Sequence, residues 1–252
     1  MSERNEEFAE LIERFENMIN TGSPAFFDSE ELEDIIEHYF ATNRLDMAKS
    51  AIEKALDQYP YSAAFKISKA QYLSANHNTL EALNILNQLE HIEPSNPDLY
   101  LTRAYIYSQS GLSEQAIENY KMALKYSDDK DEIYMALGVE FMNQEKSDDA
   151  IFYLKKALQF NPGNDLALSE LALCFEIAGK SQESIDFFTK FIDDNPYNQF
   201  AWFNMGVSYS RIGDHEKAID AYDYAIAIND KFSSAYFNKG TRWPTWAALK
   251  RR

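Results

Sequence analysis

Between Glu6 and Ile19 the apolar residues Phe8, Leu11, Ile12, Phe15, Met18 and Ile19 are spaced three and four apart, which places them on one stripe of a helix. Thr21-Gly22-Ser23-Pro24 ends that helix. The helical pattern resumes at Ser29 and then repeats. In its clearest copy, Gln199 to Phe232, the positions Trp202, Gly206, Tyr209, Ala218, Tyr222 and Ala225 fall on Leu168, Ala172, Phe175, Ser184, Phe188 and Phe191 when displaced by 34 residues. The unit predicts two helices joined by a tight turn. Gly206 and Ala218 are small where the helices must approach closely, and Trp202, Tyr209 and Tyr222 fill the space around that contact. Gly213 stops the first helix in a left-handed conformation that glycine adopts without penalty, and Asp214 can cap the second. In the preceding copy, Pro196 keeps the second helix from running on.

Carried along the chain, the pattern predicts six hairpins: Ser29 to Ser62, Ala63 to Asn96, Pro97 to Lys130, Asp131 to Asn164, Asp165 to Asn198 and Gln199 to Phe232. Residues 1–28 then form a capping helix and linker. The second hairpin is the least regular, because its turn Asn76-His77-Asn78-Thr79 is awkward and its first helix can be read one residue out of step. A partial seventh unit, residues 233–240, starts with Tyr236, Phe237, Asn238, Lys239 and Gly240, and the pattern fails at Thr241. Pro244 removes a backbone donor there, and residues 241–252 hold Arg242, Lys250, Arg251 and Arg252 with no acid. This stretch is expected to be a basic tail outside the repeat fold. It is either an artificial or reading-frame scar or a terminal segment that docks elsewhere.

A 34-residue helical hairpin with this small, large and aromatic signature resembles the tetratricopeptide repeat (TPR) family over residues 29–240. The resemblance implies an all-α, right-handed superhelical solenoid of antiparallel helix hairpins, acting as a protein-binding scaffold. It also implies that the exposed side of each first helix lines a concave face. Carried over position by position, that wall holds Glu30, Glu33 and Glu37, then Asp98, Leu101, Tyr105, Glu132, Met135, Val139, Met142, Leu166, Ser169 and Leu173, then Phe200, Phe203, Val207 and Arg211. It is acidic at one end and apolar at the other. Asn204 and Asn238 fall where chaperone-docking members carry the asparagine of a carboxylate clamp, but the accompanying lysines and arginines are missing, so a terminal carboxylate is not the expected ligand.

Charge narrows the partners. With a net charge of −17, the chain repels phosphate backbones and anionic lipid surfaces, so neither nucleic acid nor membrane insertion is expected. Cys174 is the single cysteine, which excludes an internal disulfide and a multi-cysteine metal site and suits a reducing compartment. No apolar run reaches the ~18–20 residues of a membrane span, and Met1 to Asn20 has no signal-peptide core. A cytoplasmic location is the expectation.

No enzyme chemistry stands out. His38, His77, His91 and His215 show no metal-ligand spacing, so no metal is expected. Cys174 sits among Leu171, Leu173 and Phe175 and reads as a small buried hydrophobe. The pairs Asp128-Asp129, Asp148-Asp149 and Asp193-Asp194 read as charges near turns that complement helix N-termini. There is no glycine-rich phosphate loop, and no cofactor is expected. The expected function is a non-enzymatic adaptor that holds a basic or amphipathic peptide or helix, with Leu101, Tyr105, Met135, Met142, Phe200 and Phe203 as apolar anchors. Alternatives are a chaperone-like holder of hydrophobic secretion substrates and a regulatory fragment of a larger enzyme. Self-association through the groove or the C-terminal end is a further option.

Overall fold

The period of 34 sets where each hairpin starts. In the computed structural model, which describes residues 2–249 and the side chains of residues 6–241, there are fourteen helices and no strand among the described residues. They are α1 (Ser2–Thr21), α2 (Ser29–Ala41), α3 (Leu45–Gln58), α4 (Ala63–Ala75), α5 (Thr79–Glu90), α6 (Pro97–Gln109), α7 (Ser113–Tyr126), α8 (Asp131–Asn143), α9 (Ser147–Phe160), α10 (Asp165–Ile177), α11 (Ser181–Asp194), α12 (Gln199–Arg211), α13 (His215–Ile228) and α14 (Ser233–Leu249). Each even-numbered helix from α2 to α14 begins 34 residues after the last.

Two columns of residues punctuate the hairpins. Before the first helices stand Asp28, Ser62, Asn96, Asn164 and Asn198, each of whose side chains accepts a backbone N–H of the first turn that has no partner within the helix. Asp28 adds a capping box with Glu31. Lys130, in the same column, makes no side-chain cap. Between the two helices of every hairpin stands a left-handed residue: Asn43, His77, Gly111, Glu145, Gly179 and Gly213, with φ between 54° and 84°. The turn at His77 is therefore the same turn as the others, and α4 is in step.

The chain forms two compact units, Met1–Tyr126 and Ser127–Arg252. In the first, α1 lies on α2 with Phe15 fully buried against Phe27 and Tyr39. The linker before α2 is tied to α3, because the Gln58 amide donates to the Phe27 carbonyl at 2.7 Å and the Tyr59 hydroxyl donates to it at 3.2 Å. Arg14 pairs with Glu31 and Arg44 with Glu16, each at 2.6 Å. The core continues through Leu32, Ile35, Ala48, Ile52, Ala55 and Phe65. In the second unit, a Cβ on Gly138 would lie 2.6 Å from Leu154 Cγ and one on Gly206 2.6 Å from Tyr222 Cε1, so only glycine admits that helix approach. Adjacent hairpins are also bridged in the core, where Ser184 and Ser208 share a 2.7 Å hydrogen bond.

One expectation is corrected. Asp193 and Asp194 close α11, so they lie at its negative end and dipole complementarity does not account for them. The last helix, α14, runs past Gly240 to Leu249, through Pro244, although a proline nitrogen cannot donate to the Gly240 carbonyl. The side chains of residues 242–249 and all of residues 250–252, which carry the basic character expected of the tail, lie outside the described residues.

Candidate functional site

Because successive first helices start one period apart, their matching faces line up within each unit. In the first unit, Glu33, Ile36, Glu37 and Phe40 of α2, Ser68, Gln71 and Ala75 of α4, and Leu101, Thr102 and Tyr105 of α6 line an open cavity of about 600 Å³. A second hollow of about 420 Å³ shares Gln71, Ala75, Thr102 and Tyr105 and extends to His77 and Gln109. The Gln71 amide donates to the Thr102 hydroxyl at 3.4 Å across α4 and α6. The cavity thus has an apolar floor with two carboxylates at its edge. Tyr105, 57% exposed, lines both hollows.

In the second unit a cavity of about 460 Å³ lies among α10, α11, α12 and the start of α14. Leu173, Phe200, Phe203, Val207 and Phe232 make its apolar part, and Ser169, Ser181, Asn204, Ser234 and Asn238 its polar part. Phe232 packs against Phe200 and Phe203 with ring centroids 5.4 and 5.1 Å apart. Arg211 lies at the same cavity in an ion pair with Glu176.

The structure brings Glu33, Glu37, Leu101 and Tyr105 together in one cavity and Leu173, Phe200, Phe203 and Val207 in the other. Glu30 is exposed on the first turn of α2. Met135, Val139 and Met142 are half-buried along α8 and line neither of these cavities. None of the twelve is fully buried. Phe232 escapes sequence reading, although a signal exists: it stands in the cap column, where Asp28, Ser62, Asn96, Asn164 and Asn198 are polar. Cys174 is buried, its Sγ 3.5 Å from the Ser147 carbonyl, and burial pushes the thiol above its ordinary value. Among the described residues, no three of His, Cys, Asp and Glu are placed to hold a metal ion. Nor, among the described residues, is any helix long and apolar enough to cross a membrane.

Stacked helical hairpins of fixed length define an all-α helical-repeat solenoid. Profiles of the tetratricopeptide repeat match residues 97–130, 135–199 and 200–232, and the chain belongs to that family. Among solved structures it is similar to YrrB, a TPR protein with an unusual peptide-binding site, at 23% identity and a TM-score of 0.53 over 75% of this chain and 98% of that one. A tetratricopeptide repeat protein from Parabacteroides merdae matches at 18% identity and a TM-score of 0.54, over 88% of each chain. A chain of the APC/C hetero-tetramer Cut9-Hcn1 matches at 16% identity and a TM-score of 0.56, over 95% of this chain but 47% of that one. These likenesses show the fold. No curated protein matches the chain.

Proposed function

We propose that this chain is a protein-interaction scaffold whose first helices hold a basic, amphipathic segment of a partner protein. The observation that carries this reading is the pair of cavities, each lined mainly by successive first helices of one unit. In the first, an apolar side chain enters against Ile36, Phe40, Leu101 and Tyr105 while a lysine or arginine meets Glu33 and Glu37. In the second, the three phenylalanine rings take an apolar residue, and Asn204 and Asn238 supply amides for a peptide backbone. The peptide-binding site reported for YrrB supports binding of this kind on the same fold.

Selection of 12-residue peptides from a displayed library on the purified chain tests the reading. Enriched peptides should pair Lys or Arg with large apolar residues, and Tyr105→Ala should weaken the basic ones about tenfold, the scale of one lost anchor. Tyr105 is exposed, so helix content should not change. Peptides that bind wild type and variant equally would overturn the assignment of this cavity. Salt separates adaptor from hydrophobic holder: a charge-assisted ligand weakens as ionic strength rises, and a purely apolar one does not.

A further inference from the structure

One set of positions in the first unit occurs twice, once closed and once open. Where α5 meets α6, buried Arg103 donates to the Glu90 carboxylate at 2.8 Å. The Tyr100 hydroxyl lies 3.3 Å from the same carboxylate and donates to the Pro94 carbonyl at 2.9 Å, and its ring stacks on Tyr126 with centroids 5.9 Å apart. One period earlier the same places hold Lys69 for Arg103, Leu56 for Glu90, Lys66 for Tyr100, Pro60 for Pro94 and Ile92 for Tyr126. The cation is kept there, and the carboxylate and both rings are gone. What they leave is a hollow of about 330 Å³ lined by Leu56, Pro60, Lys66, Lys69, Ile85 and Ile92, with no acidic residue among its lining. Lys66 is the odd member of its column, which otherwise reads Leu32, Tyr100, Tyr134, Leu168, Trp202 and Tyr236. Among the described residues neither Lys66 nor Lys69 is paired with a carboxylate, in a chain that carries 41 acidic residues.

We propose that this hollow is a docking site for an acidic segment of a partner protein in which a carboxylate lies beside an aromatic side chain. The ligand supplies the two groups that Glu90 and Tyr100 supply one hairpin later. Its carboxylate takes charge-assisted hydrogen bonds from Lys66 and Lys69, three residues apart on one face of α4, and its ring lies against Pro60, Ile85 and Ile92. The net charge of −17 does not forbid such a ligand: at physiological salt, charges farther off than about 8 Å are largely screened, and the charges that line the hollow are the two lysines. The hollow shares no lining residue with the cavities of the proposed peptide site and selects the opposite charge, so it stands or falls without them.

The probe is the end-blocked peptide Gly-Glu-Tyr-Glu-Gly, titrated against the full chain with isotope-labelled isoleucine methyls and followed by NMR. Saturable shifts of the Ile85 and Ile92 methyls are expected, with none from Gly-Lys-Tyr-Lys-Gly. Lys66→Gln together with Lys69→Gln, which keeps both stems, should weaken binding about tenfold through the lost charge-assisted bonds. A rebuilt chain, Leu56→Glu with Lys66→Tyr, copies the closed arrangement of the next hairpin; it should keep its circular dichroism and melting temperature and lose the shifts. If the rebuilt chain melts early, the glutamine pair decides. Absence of saturable shifts, or unchanged affinity in the glutamine pair, overturns the proposal. So does binding of free hydroxyphenylacetate as tight as that of the peptide, which would assign the hollow to a small aromatic acid and not to a protein segment.

Discussion

Glu145 and Phe232 are single residues that depart from their columns, and they do so for different reasons. Glu145 takes the left-handed turn conformation at φ 59° that glycine takes in three other hairpins. Nothing around it requires a carboxylate, so Glu145→Gly should raise stability by about 1 kcal/mol, read from denaturant unfolding. Phe232 stands where a cap belongs, and its ring lines the second cavity. A local rule broken at a cavity wall makes Phe232 a residue to test for binding. Phe232→Asn restores a cap while removing the ring contacts with Phe200 and Phe203, so the unfolding free energy should change by no more than about 1 kcal/mol. Affinity for an apolar ligand of that cavity should fall several-fold in the same variant. Unchanged affinity would remove Phe232 from the site.

At the scale of the helix, α2 holds a buried titratable group, Tyr39. Burial, then the Glu16 carboxylate, push the Tyr39 phenol up to about 12 from an ordinary 10.0. The fold holds the protonated form, so its stabilisation is complete below pH 10 and is lost as pH rises from 10 to 12. Alkaline unfolding should therefore begin at the α1–α2 contact, and Tyr39→Phe should flatten the loss when helix content is followed against pH. The helices themselves were legible because their signals are local: Asn96, Asn164, Asn198 and Gly213 announce starts and stops in the letters alone. The turn at His77 was not, since a left-handed backbone there is imposed by the hairpin and not by the residue type. Nor was the division of the candidate wall between cavities. Which of Leu101, Met135 and Phe203 shares a hollow with which depends on helix packing, and periodicity carries no information on that.

Across the molecule, damage should stay near its source, because each hairpin draws its stability from itself and its neighbours. Gly206→Leu drives a side chain into the Tyr222 ring and should cost roughly 1–3 kcal/mol or more. Hydrogen exchange should then report lost protection in α10 to α14 and none in α2 to α5; equal loss in both would point to one cooperative core. The shared columns of caps and left-handed turns reach further than stability. A gene encoding such a chain can lose or gain a stretch by misaligned recombination, and most such events ruin a protein. Here, removal of residues 165–198 would bring Asn164 before Gln199, so the cap, the turn spacing and the packing faces meet their own kind at the junction. That variant should fold and melt as a shorter array, while a cut at the same place whose length is not a multiple of 34 should not. Length in this protein is inherited in units of one hairpin.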